Sequence, residues 1–204
     1  MPVRADALEV SEGERRQLEF LVAAHGLTAI ARVNRVLDGS RGETSAEHSW
    51  HLALTAMVLA PSVAPEVDLL DVLGMLLVHD VVEVDAGDVP IYDAAGRAAV
   101  EASERLAAHR LFGILPSDGA SRLAELWEAF EAAETPAARF ARAVDRLQPI
   151  LVHWAGDGSA WRERGITVAQ EREIATLVGE FWPALATLAD ALVDDAARRG
   201  MLVA

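Results

Sequence analysis

An all-α fold is predicted for this chain by three observations. Ala and Leu dominate nearly every segment, no run sustains a period-two alternation rich in Val, Ile and Thr, and helix start and stop signals recur throughout. The 204 residues suit a single domain spanning 1–204. A hydrophobic share of 52% is enough to bury a core without covalent staples. No internal repeat, low-complexity tract or domain linker interrupts the sequence.

The elements follow in order. A first helix is expected over about Glu12 to Ala24, and Leu27 to Val36 continues the helical spacing until the polar loop Asp38-Gly39-Ser40-Arg41-Gly42 breaks it. Thr44-Ser45-Ala46-Glu47 fits a capping box, with Thr44 as N-cap and Glu47 reaching back, and opens a helix that should stop before Pro61. On a helical wheel Leu52, Thr55 and Leu59 share the side of His48, while Trp50, Ala53, Leu54 and Met57 cover the other. A helix apolar nearly all round is expected to be central, with His48 buried. Glu66 to about Val82 reads as a second such helix, carrying Leu69 to Val78 into His79-Asp80 and followed by a polar turn at Asp85 to Pro90. Further helices are expected over about Ala94 to Phe112, Ala120 to Ala133, and Pro136 to Trp154. Thr135-Pro136 marks the start of the last of these and Pro149 should kink or shorten it. After the loop Gly156 to Ser159, the final helices cover about Val168 to Glu180 and Pro183 to Arg199, closed by Gly200.

Composition narrows the chemistry. A net charge of −14 with no Arg-rich stripe argues against a nucleic-acid polymer or an anionic membrane as partner. The absence of cysteine excludes disulfides, thiolate nucleophiles and Cys-based metal sites. All 18 basic residues are Arg, so there is no P-loop lysine, kinase lysine or Schiff-base chemistry. Catalysis must come from His, carboxylates, hydroxyls, Arg, or a metal held by the first two. Met1 to Phe20 is charged and lacks an apolar core like that of a signal peptide, and no stretch reaches the ~20 apolar residues of a spanning helix. A cytoplasmic protein is expected.

Against the helical background stand His48, the adjacent pair His79-Asp80, and Asp145 among Phe140, Ala141, Val144 and Leu147. Ionisable groups among apolar residues are costly to bury unless they are paired or bind a metal. Taken singly, each has a plain alternative: a hydrogen-bonded core histidine, or an Asp145 paired with Arg142 or Arg146. Taken together, two imidazoles and two carboxylates from three helices suit one divalent cation, drawn from Mn, Co, Fe, Mg or Zn.

Glu47-His48-Ser49-Trp50, His79-Asp80-Val81-Val82-Glu83, Gly87-Asp88-Val89-Pro90 and Asp145, in that order, resemble the HD-domain phosphohydrolases. More narrowly, they are similar to the 5′-deoxynucleotidase branch. The resemblance spans roughly Leu18 to Trp154, so the motif-bearing core is expected at about 18–154, with C-terminal helices at 168–199 packed on it. It implies an HD-domain helical bundle, commonly a homodimer, with His48, His79, Asp80 and Asp145 as metal ligands. It implies Glu83 as the carboxylate that orients the attacking water and Asp88 as general acid for the leaving oxygen. Arg32 is implied as the contact to substrate phosphate, with Arg35 and Arg41 as rivals. The sequence departs from that branch beside Arg32, where Val33 and Val36 stand in place of an aromatic residue, so no choice between deoxyribose and ribose is carried over. His51 is expected to support the site or the core, His109 to lie on the surface, and His25 and His153 to have no role. The implied activity is hydrolysis of a phosphate monoester, a (deoxy)nucleoside 5′-monophosphate above all. The alternatives are another phosphorylated metabolite, a nucleotide di- or triphosphate, or a non-catalytic metal-containing sensing module.

Overall fold

The computed structural model describes residues 8–204, with all of their side chains except those of Ala94, Arg97 and Ala98. Helix α1 (Glu12–His25) starts at a Ser11/Glu14 capping box and runs into one turn of 3-10 helix over Gly26–Ala29. A two-stranded antiparallel hairpin follows, β1 (Ala31–Arg35) and β2 (Gly42–Thr44), with an irregular register between the Ala31–Thr44 and Arg35–Gly42 pairs. The bundle proper comprises α2 (Ser45–Val63), α3 (Leu69–Val78), the short α4 (Glu83–Ala86), α5 (Ala94–Phe112), α6 (Ser117–Ala132), α7 (Pro136–Ala155), the short α8 (Ser159–Glu163), α9 (Val168–Phe181) and α10 (Ala186–Arg198).

The helix at the centre is α7, which packs on α2, α3, α6, α9 and α10. Its start is dictated locally, because the Thr135 hydroxyl accepts from the Ala138 N–H and Pro136 has no N–H to leave unsatisfied. Phe140, Ala141, Val144, Leu147 and Ile150 are at most 1% exposed and join Leu52, Val72, Leu76, Val178 and Val193 in the main core. Shortening a residue such as Leu147 to Ala would cost roughly 2–5 kcal/mol, because the tightly packed surroundings relax only in part. A second apolar cluster, around Phe20, Val82, Leu111, Phe112 and Trp127, joins α1, α5 and α6 to the chain segment after α3.

Four local expectations are corrected. Leu27 to Val36 is not helical: a short turn ends at Ala29, and Ala31–Arg35 pairs as a strand, because Asp38-Gly39 closes a turn in which Val36 donates to the Arg41 carbonyl. Pro61 does not stop α2, which continues to Val63, while α7 runs on past Pro149 to Ala155, the length expected for it. In each case the packed helix tolerates one missing backbone bond, which for Pro149 is the bond that would have reached the Asp145 carbonyl. The second apolar helix starts at Leu69, capped by Asp68, and gives way to 3-10 geometry at His79. Finally, α2 is buried on one side only: Trp50 (63% exposed), Leu54, Met57 and Val58 lie in water.

Candidate metal centre and its cleft

Local structure explains how each polar group reaches the centre. The Thr44/Glu47 capping box fixes the first turn of α2, and His48 follows it directly with its side chain fully buried. The α-helix of α3 tightens to 3-10 over His79–Val82, and two consecutive side chains, His79 and Asp80, reach the centre from this turn. Glu83 then begins α4. Gly87, at φ 78°, ends that helix in a conformation open to glycine, and the chain swings round to present Asp88. Asp145 comes from the middle of α7.

These side chains converge. His48 Nε2 lies 3.2 Å from Asp145 Oδ1, and His79 Nε2 lies 3.8 Å from the same oxygen. One ligand atom from each of His48, His79 and Asp145 falls within 4.8 Å of the others, a spacing that a single ion with bonds of about 2.0–2.6 Å can bridge. Asp80 adjoins this triad, with Oδ1 3.0 Å from His79 Nε2 and Oδ2 4.0 Å from His48 Nε2.

The far nitrogen of each imidazole is engaged. His79 Nδ1 donates to the Leu76 carbonyl at 3.0 Å, and His48 Nδ1 donates to Gln148 Oε1 at 3.0 Å. That arrangement leaves both Nε2 lone pairs directed at the centre, the usual way a protein orients ligating histidines. His79 Nε2 is buried without a hydrogen bond. The donor set and its orphaned nitrogen therefore fit a divalent cation.

Charge supports the same reading. Asp80, Glu83, Asp88 and Asp145 crowd the site, opposed at close range by Arg32 and Arg146. Burial works against ionising Asp145, yet Arg146 and the two histidines hold it well below the ordinary carboxylate range. Burial likewise opposes charge on Asp80, and His79, Arg32 and His48 more than offset it. Glu83 goes the other way. Burial and then the neighbouring Asp80 charge push it up to about 9, although Arg32 and a 2.5 Å hydrogen bond from Ser45 pull against them. A dication would relieve this excess of negative charge.

The centre forms part of the wall of a cleft of about 430 Å³, also lined by Glu83, Asp88, Arg32, Arg142 and Arg146. The hairpin that replaced the expected helix is what delivers Arg32, whose guanidinium sits 3.2–3.8 Å from Asp80, Asp88, Glu83 and Glu43. Its rivals are engaged elsewhere. Arg35 pairs with Glu163, and Arg41 binds Glu47 on the surface. Asp88 places Oδ1 3.3 Å from Arg32, while its buried Oδ2 has no hydrogen-bond partner.

Sequence reasoning missed several participants. Gln148, three residues after Asp145 and fully buried, accepts from His48 and donates to Glu43 (3.2 Å) and His51 Nδ1 (2.9 Å). The i, i+3 spacing from Asp145 was the available signal. Arg146 was weighed only as a competitor for Asp145, yet the carboxylate serves both, Oδ2 meeting Arg146 at 3.2 Å while Oδ1 faces the histidines. His109 is exposed as expected. His153, expected to have no role, is buried and lines the cleft.

The HD-domain family profile matches residues 25–185. The chain belongs to the HD-domain family. Its HD-domain relatives include the human 5′-deoxynucleotidase HDDC2, 28% identical over 140 residues that make up 68% of this chain and 67% of that protein. The cattle form is 28% identical over the same share of each chain. Among solved structures, a protein described as a predicted metal-dependent phosphohydrolase from Magnetospirillum magnetotacticum is 42% identical. It superposes with a TM-score of 0.88, covering 95% of this chain and 100% of that one. The PH0347 protein of Pyrococcus horikoshii, 20% identical with a TM-score of 0.64 over 87% of this chain and 98% of its own, shares the fold. The protein is thus an HD-type metal-dependent phosphohydrolase, whose regular structure among the described residues is helical but for the β1–β2 hairpin and an isolated bridge.

Proposed function

We propose that this HD-domain enzyme hydrolyses a phosphate monoester, with a (deoxy)nucleoside 5′-monophosphate as the substrate class, and that His48, His79, Asp80 and Asp145 hold its one divalent cation. The observation that carries the proposal is the convergence of two imidazole Nε2 atoms and Asp145 on a cleft that also presents Glu83, Asp88 and Arg32. When bound, such an ion supplies an acidified water and polarises a phosphoryl oxygen.

The chain's own residues would do the rest. Glu83, held by Ser45 and Arg32, would aim the attacking water and take its proton once a bound dication countered the burial and the Asp80 charge that raise its pKa. Asp88, whose Oδ2 is free of intramolecular bonds, protonates the departing 5′-oxygen, which otherwise leaves as a poor alkoxide. Arg32 exchanges part of its carboxylate contacts for the phosphate, for which the guanidinium fork is suited. The relatives' deoxynucleotidase activity supports the nucleotide class.

Phosphate release tests this across nucleoside mono-, di- and triphosphates and sugar phosphates, with Mn, Co, Fe, Mg or Zn added in turn. Monophosphates should be turned over with at least one metal. A preference for di- or triphosphates, or no release from any monoester, would overturn the substrate class.

A homodimer is part of the proposal. Trp50, Leu54, Met57 and Val58 on α2, and Leu70 and Leu77 on the adjoining α3, leave large apolar side chains in water, a surface suited to association. A second copy of the chain is the occupant proposed. No helix among the described residues is long and apolar enough to cross a membrane.

A further inference from the structure

The cleft does not end at the metal-ligand cluster. Asp145, Pro149 and His153 recur at four-residue spacing on one face of α7, and all three line it. Eight residues of helix place His153 about 12 Å beyond Asp145. There the lining changes: Tyr92 from the loop before α5 and Glu171 from the first turn of α9 join His153, with Ile150 and Ile174 as apolar wall.

Two polar features mark this end. Glu171 is 1% exposed and its carboxylate accepts a hydrogen bond from the Tyr92 hydroxyl, a buried polar pair set in a cavity wall. His153 is 9% exposed, and neither of its ring nitrogens has a hydrogen-bond partner; its ring packs edge-to-face with Trp161, 5.0 Å between centroids. An unsatisfied buried polar group typically costs about 1–3 kcal/mol, so a purely structural position would be better filled by an apolar residue. Burial, helped by Arg164, drops the His153 pKa to about 4, so the ring is neutral and offers one donor and one acceptor.

We infer that this end of the cleft is a recognition site for the leaving group of the substrate, and that it takes a flat, uncharged heterocycle bearing hydrogen-bond donors and acceptors, such as a nucleobase. The inference deepens the proposed function and rests on it for the identity of the rest of the substrate. Glu171 argues against a second phosphate or a carboxylate here, since the lining arginines, Arg32, Arg142 and Arg146, sit at the metal end. The apolar walls and the ~12 Å run along α7 suit a ring held beyond a phosphate and a sugar.

The test needs no turnover. Isothermal calorimetry or ligand-observed NMR would measure binding of deoxyadenosine, deoxyguanosine, deoxycytidine and thymidine to the wild-type protein, with 2-deoxyribose as the ringless probe. At least one nucleoside should bind and deoxyribose should not. His153→Phe and Glu171→Gln, checked for folding by circular dichroism, should each weaken nucleoside binding tenfold or more. Tyr92→Phe is the milder third variant, should either fail to fold, and should weaken it in the same direction. In kinetics, the ratio of kcat/KM for nucleoside monophosphates over 2-deoxyribose 5-phosphate should fall by a similar factor, mainly through KM. Equal binding of nucleosides and deoxyribose, or folded variants with unchanged affinity, would overturn the inference. Nucleoside binding lost in the variants would sustain it even if the wild type released no phosphate from monoesters, an outcome that would remove the hydrolase reading alone.

Discussion

Glu83 and Asp88 stand within reach of the same arginine, yet their surroundings differ. Glu83 is buried under Ser45 and pushed up to about 9, while Asp88 keeps one carboxylate oxygen unbonded. If the first handles the water and the second the leaving oxygen, Glu83→Gln and Asp88→Asn should keep the fold and the metal while turnover falls by ~10²–10⁴-fold. Single-turnover hydrolysis with metal content measured on the same samples checks this, and near-normal rates in both variants would sink the assignment. A second residue-scale expectation concerns Glu171. Burial raises its pKa to about 7, despite the hydrogen bond from Tyr92 that favours the ionised form. Its folded value lies above the unfolded one, so the folded state holds the extra proton and stability drains away as pH rises from about 4.5 through 7. Relative to wild type, Glu171→Gln should gain melting temperature as pH climbs through that window. A difference flat with pH would show that Glu171 ionises as freely in the folded protein as in the unfolded chain.

At the scale of elements, short connections aim Arg32, His79, Asp80 and Asp88, while the long helices α2 and α7 supply His48 and Asp145. The hairpin β1–β2 delivers Arg32, the 3-10 turn at His79–Val82 carries His79 and Asp80, and the α4–Gly87 break presents Asp88. Another connection, before α8, shows how tightly such turns are specified. Gly158 has φ 69°, and a Cβ there would lie 2.7 Å from the Met201 side chain, in the segment where Val203 pairs with Ile166 and Val168. Gly165 has a similar φ of 64° with open space around it. Both glycine-to-alanine changes incur backbone strain of roughly 1–3 kcal/mol, but only Gly158→Ala adds a steric clash. Thermal unfolding should therefore rank Gly158→Ala below Gly165→Ala; equal melting temperatures would show that the C-terminal segment yields freely.

For the whole molecule, the candidate centre joins α2, α3 and α7, so a bound ion ties together helices that otherwise meet through the apolar core. Metal at a hundredfold over its Kd stabilises the native state by about 2.7 kcal/mol, or roughly 5–10 °C in a chain of this size. Chelation should lower the melting temperature by that order, and Asp80→Ala should abolish the difference; identical melting with and without metal would show that the ion does not brace the bundle. The exposed apolar side chains on α2 and α3 carry the other expectation at this scale. Sedimentation should give a dimer for the wild type and a monomer for Trp50→Glu combined with Leu70→Glu, with activity assayed alongside. A monomeric wild type would remove the dimer from the proposal.

Helix periodicity, the capping signals at Thr44 and Thr135, and the order His48, His79-Asp80, Asp145 were all readable in the sequence, because each depends on neighbours within a turn or two. The all-α class and the HD-domain membership followed from them. Tertiary contacts decided the rest. Whether Ala31–Arg35 is strand or helix depends on a partner strand across a turn, and local spacing favoured the wrong answer. Pro61 looks like a stop in a chain read alone, but packing on neighbouring helices outweighs one lost backbone bond. Glu43 and His153 carry no local mark, and Gln148 only its i, i+3 spacing from Asp145. They matter because α7 lies at the centre of the bundle, setting Gln148 against His48 from α2, a hundred residues apart in sequence, and His153 in the wall of a cleft that Tyr92 and Glu171 complete.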